Sequence, residues 1–227
     1  MTNLPHTIKI AGADARVLAD SDLLQLRCGA AGCSATCCKA ATPIVLNPYE
    51  VARIRKASGI PYEDLLDVFD TDRAKSFPLV MLPRDPVCYF WAETGCRIYE
   101  ARPLACRLFP LGRVFDNGLS HIVLPEVNRC SGLVSAPSWT VAGYLEEQDA
   151  ALYSEMADRW IEFVSAMERL PLQDTPLTSV AFHMLVYSPD TPPGPGNVDE
   201  ITSLEQRYLL RLATAKEQLP RFLKLSR

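Results

Sequence analysis

Hydrophobic residues recur at helical spacing in two stretches of the C-terminal part of the chain. In residues 138–170 and 198–219, apolar residues fall near one helical face, most of them three or four positions apart. These positions are Leu145, Leu152, Met156, Trp160, Phe163 and Met167 in the first stretch, and Ile201, Leu204, Tyr208, Leu212, Ala215 and Leu219 in the second. The pattern predicts two long amphipathic helices. The sequence "SPDTPPGPGN" (188–197) between them predicts a loop.

The first 124 residues predict shorter elements. The clearest is a helix that begins after the N-cap residue Asn47, carries Pro48 in its first turn and ends at Gly59. The other predicted elements are a short helix at 61–69, a strand at 77–82, a helix of one to two turns at 102–110 and a hairpin at 113–124. Cys88 and Cys96 flank a turn and are expected on opposing arms of a hairpin or loop.

Composition narrows the class of protein. A net charge of −4 over 227 residues argues against nucleic-acid binding, which needs a clustered basic surface. No apolar run approaches the length of a membrane span, and the first residues lack the pattern of a secretion signal. We therefore expect a cytoplasmic protein, in a reducing compartment where disulfides are uncommon.

The eight cysteines carry the strongest chemical signal. All of them lie between positions 28 and 130, and the expected metal ligands are Cys28, Cys33, Cys37, Cys38, Cys88, Cys96, Cys106 and Cys130. Their clustering in a reducing compartment favours thiolate ligands of zinc or of an iron–sulfur cluster. The chain has no CxxC pair, which argues against zinc knuckles and against a thioredoxin-type redox site. Iron–sulfur proteins accept more varied spacings, so a 4Fe–4S cluster is favoured and zinc stays the alternative.

Five arginines and no lysine lie between residues 84 and 113. A thiolate-bound metal centre carries negative charge, which guanidinium groups offset. Arg102 and Arg107 flank Cys106 and are predicted to support the metal or to bind a substrate. Arg84 and Arg113 are expected to be ordinary surface residues. His121 is a possible ligand, although a hydrogen-bonded or surface histidine is the commoner case.

The cysteine region resembles the YkgJ-type family of cysteine-cluster proteins, which are described as zinc or iron chelators. The resemblance rests on "CCKAATPIVLNPYEVARI" and "CYFWAETGCRIYEARPLACRLFP", and it covers roughly residues 28–130. The N-terminal run differs, because the family spacing is C-x2-C-x2-C-C and this chain has C-x4-C-x3-C-C. A related branch includes flagellin lysine methylase, whose similar region holds an iron–sulfur cluster and which uses S-adenosylmethionine.

Two functions are compatible with these observations. The first is a metal-binding protein with a structural, redox or metal-handling role. The second, which the methylase branch implies, is an S-adenosylmethionine-dependent enzyme that modifies a protein or peptide near Tyr99, Arg102 and Arg107. The catalytic residues and the oligomeric state are left open, and no nucleic-acid or membrane partner is expected.

The predicted fold class is α+β and mostly helical. We expect a small irregular cysteine-rich metal-binding module with short hairpins, packed on long C-terminal helices. The module is assigned to residues 1–135 and the helical region to residues 136–227, with one core shared between them.

Overall fold

The structure is a computed structural model that describes most of the chain. The described residues are 7–10, 13–26, 35–39, 42–72, 77–115, 119–124, 130, 132, 139–170, 175–189 and 203–225. The helices are α1 (Pro48–Ser58), α2 (Tyr62–Leu65), α3 (Leu104–Leu108), α4 (Val141–Glu147), α5 (Ala150–Glu168), α6 (Pro176–Phe182) and α7 (Leu204–Leu225). The strands are β1 (Thr7–Ile10), β2 (Ala13–Leu18), β3 (Leu23–Leu24), β4 (Ile44–Val45), β5 (Asp70–Asp72), β6 (Leu79–Leu82), β7 (Trp91–Ala92), β8 (Gly95–Cys96), β9 (Leu111–Phe115), β10 (Leu119–Val123) and β11 (Trp139–Thr140).

The described strands form small antiparallel sheets. The largest has the order β1-β2-β10-β9, and its β9–β10 pair is the hairpin predicted at 113–124, whose turn residues lie outside the described part. A second sheet has the order β4-β6-β5, in which β6 is the strand predicted at 77–82. Two short pairs, β7–β8 and β3–β11, complete the set. Together with the helices, these sheets confirm the α+β, mostly helical fold class.

Helix α1 forms as its sequence predicts. The Asn47 side chain accepts a hydrogen bond from the Glu50 N–H, and the Glu50 carboxylate accepts one from the Asn47 N–H, each at 2.9 Å. This reciprocal capping box satisfies two backbone donors that the first turn would otherwise leave unpaired. Gly59 ends the helix with φ = 69°, a left-handed conformation that favours glycine.

The single helix predicted for residues 138–170 is wrong, because the segment divides into α4 and α5. The chain turns at Gln148 and Asp149, and Asp149 adopts φ = 53°. Gln148 is buried and binds two arginines from the cysteine region, so tertiary contacts override the local helical pattern. The break also changes the predicted apolar face: Met156 and Trp160 are buried, whereas Leu152 is 40% exposed.

The second predicted amphipathic helix is confirmed as α7. Its predicted core positions Tyr208, Leu212, Ala215 and Leu219 are buried, and Leu204 packs against them, while Ile201 lies outside the described residues. The loop predicted at 188–197 also lies mostly outside them. None of the helices in the described part combines the length and the apolar character that a membrane span requires.

One hydrophobic core joins residues from before and after residue 135. It includes Leu46 and Val80 from the first half and Trp160 from the second. A π-helical turn, His183–Tyr187, follows α6. The side chain of Tyr187 lies beside the β4–β6 sheet. Its hydroxyl donates to the Leu46 carbonyl oxygen and accepts from the Val80 N–H, each at 3.2 Å. A side chain of the C-terminal half is thus part of the hydrogen bonding of an N-terminal sheet.

Candidate metal centre

The adjacent cysteines lie in a tight turn that is tied to the second cysteine segment. Thr36–Cys38 forms a 3-10 turn, preceded by Ala35 with φ = 55°. The Cys38 carbonyl oxygen accepts a hydrogen bond of 2.7 Å from the Cys88 N–H. This backbone bond brings together two segments that are 50 positions apart in the sequence.

Two further cysteines reach the site from separate elements. Cys96 ends strand β8, opposite Trp91 of β7, so the hairpin predicted between Cys88 and Cys96 is present. Cys106 lies in the middle of helix α3. The cysteines among the described residues are all free thiols.

The charge on Cys37 influences the pKa values of three other thiols. Burial raises the pKa of Cys88, Cys96 and Cys106, and in each case a charge on Cys37 raises it further. The hydrogen bond to Cys37 and burial raise the pKa of Cys38, and nearby thiolates add to this rise. Five of the predicted ligands therefore lie within electrostatic range of one another: Cys37, Cys38, Cys88, Cys96 and Cys106.

The closest pair in this group is Cys37 and Cys38, whose sulfur atoms are 3.9 Å apart. The hydrogen bond from Cys38 lowers the pKa of Cys37 to about 7, and the charges of Arg84 and Arg102 also favour its thiolate. Two sulfurs on one tetrahedral zinc ion lie about 3.8 Å apart, since each Zn–S bond is about 2.3 Å long. Within the described residues, however, no three His, Cys, Asp or Glu side chains are placed to hold a single metal ion.

Arg102 is a buried cation beside these thiols. Its guanidinium stacks on the Tyr99 ring, 3.8 Å from the ring centroid, and donates to the Tyr99 carbonyl oxygen and to Gln148 Oε1. Its Nε has no hydrogen-bond partner although it is buried. The Arg102 charge favours the thiolate forms of both Cys37 and Cys96. A buried guanidinium with an unused donor fits a site whose thiolates carry negative charge when a metal is bound.

Arg107 connects the cysteine helix to the C-terminal half. Its guanidinium donates to the backbone carbonyl oxygens of Glu100, Arg102 and Gln148, at 2.6, 3.1 and 2.8 Å. It also lies 4.0 Å from the centroid of the Tyr153 ring. These contacts hold α3 against α5, while the predicted role of Arg107 beside the metal stays a prediction.

The remaining predicted ligands have separate outcomes. Cys28 and Cys33 lie outside the described residues. Cys130 is half-buried, and its sulfur accepts a hydrogen bond of 3.4 Å from the Gly132 N–H. His121 is buried in β10, and burial lowers its pKa, which favours the neutral ring.

Comparison with known families agrees with this geometry. Residues 27–123 match the family model CxxCxxCC, whose description is "Putative zinc- or iron-chelating domain". This matching part of the chain is the CxxCxxCC segment. The match covers somewhat less than half of the 227 residues and confirms the predicted resemblance to metal-chelating cysteine-cluster proteins. No curated protein and no solved structure matches the chain significantly.

Within the CxxCxxCC segment, sequence reasoning missed the role of Arg84. Expected to be an ordinary surface residue, Arg84 instead donates to the Cys37 carbonyl oxygen at 2.9 Å, and from Nε to the Thr42 carbonyl oxygen at 2.8 Å. A second donor of the same guanidinium also binds Thr42. Arg84 therefore ties the backbone at Cys37 to the backbone at Thr42, which follows the adjacent cysteines. Its position just after β6 gave no signal of this, because its partners are 42 and 47 positions away.

Replacing Arg84 with lysine is expected to weaken metal binding about 10-fold, the usual effect of removing a residue that orients metal ligands. Lysine keeps the positive charge but lacks the planar fork that joins two carbonyl groups. Anaerobic competition with a chelator measures the affinity. Arg159→Lys, on the exposed face of α5, is the matched control. An Arg84→Lys protein that binds metal as tightly as this control would contradict the assigned role.

Glu50, which also belongs to the CxxCxxCC segment, positions the helix that carries Cys106. One carboxylate oxygen caps α1, and the other accepts a hydrogen bond of 2.7 Å from the Leu104 N–H at the start of α3. Glu50 is 3% exposed. Burial raises its pKa to about 7, against the opposing effects of the backbone hydrogen bonds and of Arg107. A single buried carboxyl group thus sets the placement of α3 relative to α1.

Proposed function

We propose that this protein binds an iron–sulfur cluster of the 4Fe–4S type, through four thiolates drawn from Cys37, Cys38, Cys88, Cys96 and Cys106. The observation that supports the proposal is the mutual electrostatic influence of these five thiols, together with a buried arginine that has an unused Nε donor. When bound, the cluster would supply one-electron redox chemistry. The match of residues 27–123 to the model of a zinc- or iron-chelating domain supports a thiolate-bound metal of one of these two kinds.

Two features favour the cluster over zinc. The chain has no CxxC pair, the usual ligand spacing of structural zinc sites. In the described residues, one thiol pair has the separation that a single zinc ion requires, and no third donor completes that site. A cluster of several iron and sulfide atoms occupies more space than one ion, so its thiolates lie further apart.

The protein's own residues would hold and tune this group. The cysteine turn and α3 supply thiolates, and Arg84 fixes the backbone around Cys37. Arg102 would donate its free Nε–H toward the negative charge of the site, which raises the reduction potential of a bound cluster. Cys37, Cys96 and Cys106 are only partly buried, so the site lies near the surface. This position supports a redox or metal-handling role, in which electrons or metal pass to a partner.

The proposal is tested by analysis of protein purified without oxygen. We expect about four iron and four sulfide per chain and broad absorption near about 400 nm. Colourless protein with stoichiometric zinc would refute the cluster and leave a thiolate zinc site. Protein that takes up neither iron nor zinc would refute both.

A further inference from the structure

A cavity of ≈ 560 Å³ lies on the side of the molecule where β9 and α3 pack near α5. Its size is within the range of small-molecule binding sites. Its lining is mainly aliphatic and aromatic, with contributions from Leu79, Leu108, Leu111, Leu124, Trp160 and Val164. None of the thiols of the metal centre is among its lining residues.

Arg113 contributes to this cavity a buried donor atom that has no hydrogen-bond partner. Its side chain is 10% exposed, and one terminal nitrogen forms an ion pair of 2.5 Å with Asp158 on α5. Its Nε is buried and has no hydrogen-bond partner. Asp158 is 45% exposed, so its carboxylate is partly solvated, whereas the guanidinium of Arg113 is largely shielded from solvent. The expectation that Arg113 is an ordinary surface residue is therefore wrong.

Glu50 and Glu168, the acidic residues in the described lining of the cavity, do not accept a hydrogen bond from the Arg113 Nε–H. Glu50 uses both carboxylate oxygens to accept backbone N–H groups. Glu168, the other acidic residue of the lining, is exposed at the C-terminal end of α5. Arg84 also lines the cavity and donates to backbone carbonyl oxygens of the cysteine turn. The cavity thus combines an apolar wall with a buried cation that has one free N–H.

We propose that this cavity binds an amphipathic carboxylate, a molecule with an aliphatic body and one carboxylate group. The carboxylate accepts a hydrogen bond from the Nε–H of Arg113. The aliphatic body gains free energy by covering the apolar wall. The carboxylate supplies the acceptor that the guanidinium lacks, and hydrogen bonds to charged groups are stronger than neutral ones. The proposal is independent of the metal at the cysteine site.

Decanoate is the probe for this proposal, with 1-decanol as the uncharged analogue of equal chain length. Calorimetric titration of the full-length protein should show decanoate binding about 10-fold more tightly than decanol, the usual value of a charge-assisted hydrogen bond. Arg113→Met should abolish this difference. Asp158→Asn removes the same ion pair but keeps the guanidinium, so it should retain the preference for decanoate.

A third variant tests whether the cavity itself is the site. Ile161 lines the cavity and is 43% exposed, so Ile161→Trp narrows it without forcing a larger side chain into the core. This variant should lose both ligands while its circular dichroism and melting temperature stay near those of the wild type. Equal binding of decanoate and decanol, unchanged binding by Ile161→Trp, or equal losses in Arg113→Met and Asp158→Asn would each overturn the proposal.

Discussion

Replacing Cys106 with serine is expected to lower metal affinity by at least ~100-fold, beyond the effect of removing a residue that only orients the ligands. Cys106 lies on a short helix that is fixed by Glu50 at its start and by Arg107 within it. The neighbouring elements therefore hold its thiol in place. A serine oxygen is a poor replacement, because zinc and iron–sulfur clusters prefer thiolate ligands. Metal content per chain after anaerobic purification and gel filtration measures the loss.

Ala105→Ser is the matched control, because it introduces the same hydroxyl at an exposed position of the same helix. The control should keep the metal content and the absorption spectrum of the wild type.

Loss of the metal should also increase hydrogen exchange in Thr36–Cys38 more than in α5 and α7, since ligation free energy contributes to folding where the ligands are. A Cys106→Ser protein with full metal content would contradict the assignment of this ligand.

Glu50 is expected to make the folded state less stable as the pH rises from about 4.5 to about 7. Its pKa is about 7 in the folded protein and 4.5 in the unfolded chain. Between these values the unfolded chain releases a proton that the folded protein keeps, so the free energy of unfolding decreases with pH by about 3 kcal/mol in total. Above pH 7 both states are ionised, and this contribution stays constant.

Glu50→Gln removes this titration and also one of the two helix caps, because an amide has one acceptor oxygen where the carboxylate has two. The variant should be about 1 kcal/mol less stable than the wild type at pH 4.5. The stability difference, measured by urea unfolding of the metal-loaded proteins, should then shift by about 3 kcal/mol in favour of the variant by pH 8. Comparison at each pH cancels the titration of the thiols, which both proteins share.

Glu63→Gln, at an exposed position of α2, is the control for a general effect of removing one negative charge. It should leave the pH dependence of stability unchanged. A constant stability difference between Glu50→Gln and the wild type from pH 4.5 to pH 8 would show that Glu50 does not titrate in this range.

The parts of the fold that the sequence predicted are those that local chemistry determines. Helix α1 carries its own start and stop signals at Asn47 and Gly59, so its limits were predictable. The helix that carries Cys106 was also predicted, although Pro103 is its N-cap residue rather than its first helical residue. The break between α4 and α5 was not predictable, because it depends on contacts of Gln148 with residues about 40 positions away. Strands β1 and β2 and helix α6 were missed as well.

The candidate site shows the same division. The preference of thiolates for soft metals made the clustered cysteines candidate ligands, and five of them lie within electrostatic range of one another. The groups that position them are distant in the sequence and act through the backbone. Arg84 reaches Cys37 over 47 positions, and Glu50 reaches Leu104 over 54. Such pairings depend on the complete fold, and neither leaves a pattern in the sequence.

The hydroxyl of Tyr187, which hydrogen-bonds Leu46 and Val80, links the CxxCxxCC segment to the C-terminal half of the chain. The match to the family model ends at residue 123, but the backbone of the β4–β6 sheet is hydrogen-bonded by a side chain 64 positions further on. A graft of residues 27–123 into another protein would leave the Val80 N–H without this acceptor and uncover the apolar surface that Trp160 shields. Engineering of the candidate metal centre therefore has to include the C-terminal helices as well as the matched segment.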